Sequence, residues 1–316
     1  MLEYIKAKDY KHLVHIINLW NWEYKSLYPI DKKLFKSLVL DDANFNADAS
    51  YVAMYDHEPV GFIFIKNWLT ESGLANENDT AYISLIFVKK EMRNMGIGSD
   101  MLTLSINELK KFRSIKKLVV GNEIRKVFPG VPNELVDTPI FFMNKGFVQT
   151  DSSVDMIRVA RSDLVDEDID HKGMEIRIAT EDDKDDILRL CVKNEWFRES
   201  YLIDKYFYDG GSGRRIVVGI IDNKIMSFVR FNDENNLPSR QKLFTKDKSL
   251  GYILYAKIDK EYQGSEYEEI LNQEAKNYLL KRGCKKVIVL ATKNLRFYKK
   301  IGYSACKYYL NFEYYL

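Results

Sequence analysis

The sequence predicts an α+β chain made of two tandem copies of one unit of mixed strands and helices. Three observations predict it. Strand-length apolar runs and helical stripes recur in the same order in both halves of the 316 residues. A glycine-bearing turn, Arg93-Asn94-Met95-Gly96-Ile97-Gly98-Ser99, joins the apolar stretch Tyr82–Val88 to a helical pattern that begins near Ser99. The chain is long enough for two domains of roughly 150 residues each, and a polar, acid-rich stretch from Ser162 to Gly173 lies between the copies.

The first copy opens on a short strand at Glu3–Ala7. A helix is expected from about Asp9, with Leu13, Ile16, Ile17 and Trp20 at helical spacing. The second opens on Glu175–Ala179, then Thr180-Glu181-Asp182-Asp183, a capping box with Asp in place of Glu. Ile187, Leu190 and Cys191 form the next buried stripe. Hairpins follow. Tyr51–Tyr55 and Val60–Ile65 flank Asp56–Pro59, and Ile216–Ile221 and Ile225–Val229 flank Asp222–Lys224. Each copy then has a central strand (Tyr82–Val88, Tyr252–Ile258) and a long helix. The helix stripes are Leu102, Ile106 and Leu109, and Leu271, Ala275, Tyr278 and Leu279. Another strand follows (Lys117–Val120, Val287–Leu290), then a short helix ending in Lys145-Gly146-Phe147 or Ile301-Gly302-Tyr303, and a last strand.

A strand, a glycine turn and a helix start make an anion cradle. The first helical N–H groups lack intrahelical partners, and the helix dipole adds positive potential. Gly96 and Gly98 allow close backbone approach. The turn lacks the Gly-Lys-Ser/Thr ending of a P-loop and the acidic residue of the dinucleotide fingerprint.

Arg93-x-x-Gly96-x-Gly98 after a strand ending in Val88 resembles the Arg/Gln-x-x-Gly-x-Gly/Ala signature of the GNAT (N-acetyltransferase) superfamily. The element order resembles that fold over nearly the whole chain, in a tandem layout similar to mycothiol synthase-like acetyltransferases. The resemblance implies two GNAT-like domains, each a mostly antiparallel, V-splayed mixed sheet flanked by helices: 1–162, a linker at 163–173, and 174–316. It implies acetyl-CoA as co-substrate. Arg93, Asn94, Met95, Gly96, Ile97, Gly98 and Ser99 would hold the pyrophosphate. The strand edge at Ile86, Phe87 and Val88 would pair with the pantetheine, and Asn122 would face the same cleft. The implied activity is N-acyl transfer, most simply acetyl transfer by direct attack of a primary amine. Tyr82 or Ser84 could order a water for amine deprotonation. Glu123 is the carboxylate nearest the cleft, although a solvated loop residue is its plainer reading.

The copies differ at the chemistry. With Val88 set against Ile258, Gln263 falls opposite Arg93, Glu266 opposite Gly96 and Glu268 opposite Gly98. Carboxylates in the cradle disfavour a diphosphate. Conversely, the tyrosine that in many GNAT enzymes protonates the departing thiolate matches Tyr298 in the second copy and Phe142 in the first, and phenylalanine has no proton to give. An active first copy beside a degenerate second, whose Tyr298 packs rather than reacts, fits this. So does a catalytically inactive acyl-CoA-binding or sensor protein. Aminoacyl transfer to cell-wall precursors is a third reading, disfavoured by the intact cradle.

Composition narrows the class. The chain is 46% hydrophobic and 30% charged with net charge +2, which argues for a globular protein and against an obligate nucleic-acid or membrane binder. Cys191, Cys284 and Cys306 have neither disulfide nor metal spacing, so a cytoplasmic setting without a metal is expected. A small-molecule or peptide amine is the expected acceptor, and a monomer or homodimer the expected state. Phe128-Pro129-Gly130-Val131-Pro132 reads as a stiff connection or an acceptor wall. Asp209–Arg215 looks phosphate-friendly but leads into a strand, so it is expected to be a flexible loop. His12 and His15 read as a polar helix face rather than a metal pair. Lys110, Lys111, Arg113, Lys116 and Lys117 complement a helix C-terminus. Trp20, Trp22, Tyr24 and Tyr28 read as core and cleft wall.

Overall fold

The computed structural model describes residues 1–68, 78–159, 169–233 and 249–316. Part of the expected linker, 163–168, lies outside the described residues. The chain forms two compact units. Among the described residues the first holds Met1–Ser153 and Tyr308–Leu316, and the second holds 154–159, 169–233 and 249–307.

In the first unit the elements are β1 (Leu2–Lys6), α1 (Ile17–Tyr24), α2 (Lys32–Phe35), β2 (Phe45–Tyr55), β3 (Glu58–Asn67), β4 (Thr80–Val88), α3 (Ile97–Leu109), β5 (Lys117–Val120), β6 (Val131–Pro132) and α4 (Asp137–Asn144). The first helix starts at Ile17, not near Asp9. Residues 10–16 form only short 3-10 turns, because aromatic, histidine and β-branched residues favour the helix weakly and no side chain caps its start. The β2–β3 turn is tighter than expected. Asp56 and His57 take φ of 47° and 68°, the two left-handed positions of a two-residue hairpin turn.

Strands β1 to β4 pair antiparallel in sequence order. β4 and β5 pair parallel only from Thr80–Lys117 to Ile83–Val120. Beyond Ile83 they part, so the sheet splays. The β3–β4 register also shifts there: Phe64 faces Leu85 and Ile65 faces Ile83, leaving Ser84 as an extra residue in a β-bulge. The bulge sends Ile83 into the core under α3 and Leu85 into the core under α1.

β7 (Val148–Val159) leads into the second unit: β8 (Glu175–Ile178), α5 (Lys184–Lys193), α6 (Phe197–Tyr208), β9 (Ile216–Ile221), β10 (Lys224–Asn232), β11 (Leu250–Ile258), α7 (Glu266–Lys281), β12 (Lys286–Thr292), α8 (Leu295–Lys300) and β13 (Ser304–Tyr315). The plan repeats closely. The β9–β10 turn again has two left-handed residues, Asp222 and Asn223. β11 and β12 pair parallel only as far as Ile253–Val289. The bulge recurs at Leu254, the residue aligned with Ser84. The capping box at Thr180 and Asp183 forms as expected.

The last strands are exchanged. Residues Val154–Val159 of β7 pair with β12, and Val154 and Met156 are buried in the second unit's core. Glu313–Tyr315 of β13 pair with β5, while Tyr309 and Phe312, both 0% exposed, belong to the first unit's cores. The compact units therefore differ from the continuous ranges 1–162 and 174–316. Each half lends its final apolar strand to the other's sheet.

Candidate active site

The head of α3 is built by its glycines. Asn94 and Gly96 both have positive φ, 62° and 84°, and Gly96 is the N-cap residue. Among the described residues no side-chain cap accepts a hydrogen bond at the start of α3. A Cβ at Gly98 would lie 3.4 Å from the Phe141 ring and 3.6 Å from Val88, so glycine there keeps the cradle floor close to the strand end. Asn94, Met95 and Gly96 are exposed, Gly98 and Ser99 half-buried, and Ile97 buried as the helix's anchor in the core.

Arg93 differs from expectation. Its guanidinium grips both Glu23 oxygens at 2.6 and 2.7 Å, and its Nε donates to the Val88 carbonyl at 3.0 Å. The side chain fastens the end of β4 to α1 rather than standing open to an anion. Ile86, Phe87 and Val88 pair with β3 on one side. On the other side, past the splay, β5 no longer accompanies them.

Below that edge lies a buried polar cluster. Ser84 Oγ donates to Glu123 Oε1 at 2.6 Å, and Glu123 Oε1 also accepts from the Val127 N–H at 3.0 Å. Lys66 Nζ stands 3.6 Å from the same oxygen, 3.2 Å from Asp42 Oδ2, and donates to the Leu38 and Arg125 carbonyls. Ser84, Glu123 and Lys66 are at most 3% exposed and Asp42 is 7% exposed. Glu123 is thus a buried group held by Ser84, not a solvated loop residue. Its Oε2 has no hydrogen-bond partner among the described residues. A pocket lined by Asp42, Asn44, Lys66, Trp68, Tyr82 and Glu123 opens here.

Local backbone places these groups. Gly121, with φ of 66°, sits where an added Cβ would strike the Phe128 carbonyl at 2.7 Å. Asn122, also left-handed, donates its N–H to that carbonyl. The turn carries Glu123 back under β4. Asn122 Oδ1 accepts from Lys126, so this side chain braces the loop. The 128–132 segment is ordered against the C-terminal strand: Val131 and Pro132 pair with Leu310 and Tyr309. Lys66 and Asp42 were not legible as site residues. Lys66 closes an apolar run like any strand-end lysine, and only its burial marks it.

The second copy lacks this constellation. Leu254 stands where Ser84 stands, and by the strand registers Thr292 stands where Glu123 stands, after left-handed Ala291 in place of left-handed Asn122. Glu266, Glu268 and Glu269 fill the first turn of α7, and Glu268 Oε2 accepts from Gly264 N–H at 3.3 Å. Tyr298 is 6% exposed and its hydroxyl donates to Asn272 Oδ1 at 3.2 Å. Burial pushes its pKa upward. The hydroxyl is thus engaged inside the core, as the packing reading of Tyr298 expects. Phe142 is likewise core, 0% exposed, against Phe147 and Phe312.

Other sequence candidates fall elsewhere. Trp20 and Tyr28 are core, whereas Trp22 is 91% exposed and walls nothing. His15 Nδ1 lies 3.0 Å from Lys32 Nζ. Among the described residues no group of three His, Cys, Asp or Glu side chains could hold a metal, and no helix is long and apolar enough to cross a membrane.

The chain belongs to the acetyltransferase (GNAT) family: the family model matches residues 14–125 and again 181–303. The two matched regions make it a tandem chain of a family that uses acetyl-CoA. Solved structures share the fold. A glucosamine N-acetyltransferase region of a fungal multi-domain GH3 β-N-acetylglucosaminidase superposes with TM-score 0.81 at 16% identity, covering 99% of this chain and 38% of that one. The chain therefore spans little more than a third of that protein's length. A tandem GNAT protein of the clavulanic acid biosynthesis pathway gives 0.66 at 13% identity, covering 100% and 98% of the two chains. A GCN5-related N-acetyltransferase from Sphaerobacter thermophilus gives 0.64 at 10%, covering 100% and 95%. No curated protein matches the sequence.

Proposed function

We propose that the first unit transfers an acetyl group from acetyl-CoA to the primary amine of a small molecule or peptide. The observation that carries this is a continuous path. Uncapped amides at the head of α3 adjoin a strand edge freed by the splay, and that edge descends to a buried carboxylate with one unpartnered oxygen. The α3 amides suit the pyrophosphate, and the edge at Ile86–Val88 suits the amides of the pantetheine arm. Glu123 Oε2 would take the proton of the attacking amine while Ser84 and the Val127 N–H hold Oε1. The amine nitrogen bonds to the acyl carbon, the carbon–sulfur bond breaks, and the thiolate leaves to be protonated from water. The cluster holds two carboxylates against one lysine ammonium, which favours a cationic acceptor over an anionic one.

Phe142 favours a second reading, in which acyl-CoA binds without turnover, because the position of the usual acid is apolar and sealed. Thermal unfolding with and without acetyl-CoA, on wild type and Gly96→Glu, tests the cofactor site. Ligand at about 100 times its Kd stabilises the wild type by about 2.7 kcal/mol, and Gly96→Glu removes the effect. A shift that survives the substitution moves binding out of the first cradle. Thiol release with an amine panel then separates enzyme from sensor.

A further inference from the structure

The second unit contains a buried cation that pairs with no carboxylate among the described residues. Arg230 of β10 is 7% exposed. Its Nη1 donates to the carbonyls of Arg215 at 3.1 Å and Phe231 at 2.6 Å and to Asn232 Oδ1 at 3.2 Å. Nε and Nη2 make no hydrogen bond among the described residues, and no carboxylate there pairs with the guanidinium. The neighbouring acids are committed: Asp233 to Arg282 at 3.0 Å and Glu199 to Lys257 at 2.7 Å. The Tyr206 ring lies 4.2 Å beneath the guanidinium carbon, a cation–π support that leaves the hydrogen-bonding edge unused.

Two further observations converge on this edge. Arg215, half-buried, makes no side-chain hydrogen bond or ion pair among the described residues, yet it is close enough to oppose the charge of Arg230. Burial first, and then Arg215, push the Arg230 pKa down against the pull of Tyr255 and Tyr206. Asn232, 0% exposed, has an Nδ2 with no partner. The loop Asp209–Arg215, expected to be flexible, is instead pinned. Gly213 takes φ of 79° with its Cβ direction only 2.4 Å from the Ala179 carbonyl, and Arg215 leaves it in a set place. Asn232 and Lys66 are structural counterparts, facing Tyr252 of β11 and Tyr82 of β4 in the neighbouring strands. The same location thus holds Asp42 and Glu123 around Lys66 in one copy, whereas among the described residues no carboxylate pairs with Arg230 in the other.

We propose that Arg230, Arg215 and the Asn232 amide form a binding site in the second unit for a small-molecule oxyanion, a carboxylate or a phosphate monoester. A buried guanidinium with a free fork is costly alone and matches two oxygens of such a group. The site is separate from the α3 cradle and does not depend on catalysis in the first unit.

The test is thermal unfolding and calorimetric titration of the full chain with inorganic phosphate and with succinate, at ionic strength matched by chloride. Wild type gives a saturable response to at least one of them, and which one names the oxyanion. Arg230→Met and Arg215→Met each raise the half-saturating concentration by about tenfold or more, while Gly96→Glu leaves it unchanged. Near-UV circular dichroism checks the fold of Arg230→Met, and the half-buried Arg215→Met decides if that variant misfolds. The proposal is overturned if neither anion acts beyond chloride. It is also overturned if the response survives both arginine substitutions, or is lost only in Gly96→Glu, which would place the anion at α3.

Discussion

Ser84 Oγ and Glu123 Oε1 are 2.6 Å apart, while the other oxygen of the same carboxylate is buried without a partner among the described residues. The bulge that turns Ser84 out of strand register and the left-handed turn at Gly121 and Asn122 bring together residues 39 positions apart in sequence. One oxygen is loaded with donors, and the other is the one proposed to take the substrate proton.

Glu123→Gln keeps the shape and removes the base. It is expected to lower kcat for thiol release by about 10²–10⁴-fold, with the acetyl-CoA dissociation constant changed less than about threefold. Steady-state kinetics beside calorimetric titration reads both. A kcat within twofold of wild type would remove Glu123 from the mechanism.

Tyr298→Phe separates packing from catalysis. The hydroxyl bonds Asn272 inside the second unit's core. Its loss is expected to cost about 0.5–1.5 kcal/mol of stability and to leave thiol release unaltered. A rate loss beyond about tenfold, or roughly 1.4 kcal/mol of activation free energy, with the fold intact would restore Tyr298 as the proton donor.

Phe312→Ala tests the strand exchange. Phe312 follows the entire second unit in sequence yet stacks on Phe142, ring centroids 6.0 Å apart, in the first unit's core. Urea denaturation is expected to show a loss of about 3–5 kcal/mol, and acetyl-CoA binding should weaken with it. A change under about 1 kcal/mol would mean that the C-terminal strand does not complete this core.

Asp183→Asn carries a pH signature. The Arg177 fork, at 2.7 and 2.8 Å, and the Thr180 cap hold the Asp183 carboxyl below its ordinary value. A depressed carboxyl pKa stabilises the fold fully above the unfolded value, near 4, and less as pH falls through the folded value. The melting temperature of Asp183→Asn should therefore lie below wild type at neutral pH, by the equivalent of about 1–2 kcal/mol. That gap should narrow steadily below about pH 4. A gap that stays constant into strong acid would show that the ion pair contributes nothing.

Much of this was legible locally. The hairpins, the capping box, the glycine cradle and the repeat all depend on side-chain periodicity and on residues with special φ, which short segments display. The carboxylates at the head of the second copy's helix were legible for the same reason, and Glu266, Glu268 and Glu269 do lie in the first turn of α7. Less legible was the start of the first helix, where apolar spacing suggested a helix that weak propensity and a missing cap prevent.

The sequence by itself determined the family and the two-copy plan, because these rest on spacing within single turns and strands. Only the tertiary structure decided which polar residues are buried together. Lys66, Asp42, Ser84 and Glu123 come from separate elements, and their burial depends on a bulge and a splay that no local pattern announces. It also decided which half completes which sheet: β7 and β13 are the last strands of their halves, and pairing partners distant in sequence are set by core packing rather than by chain order.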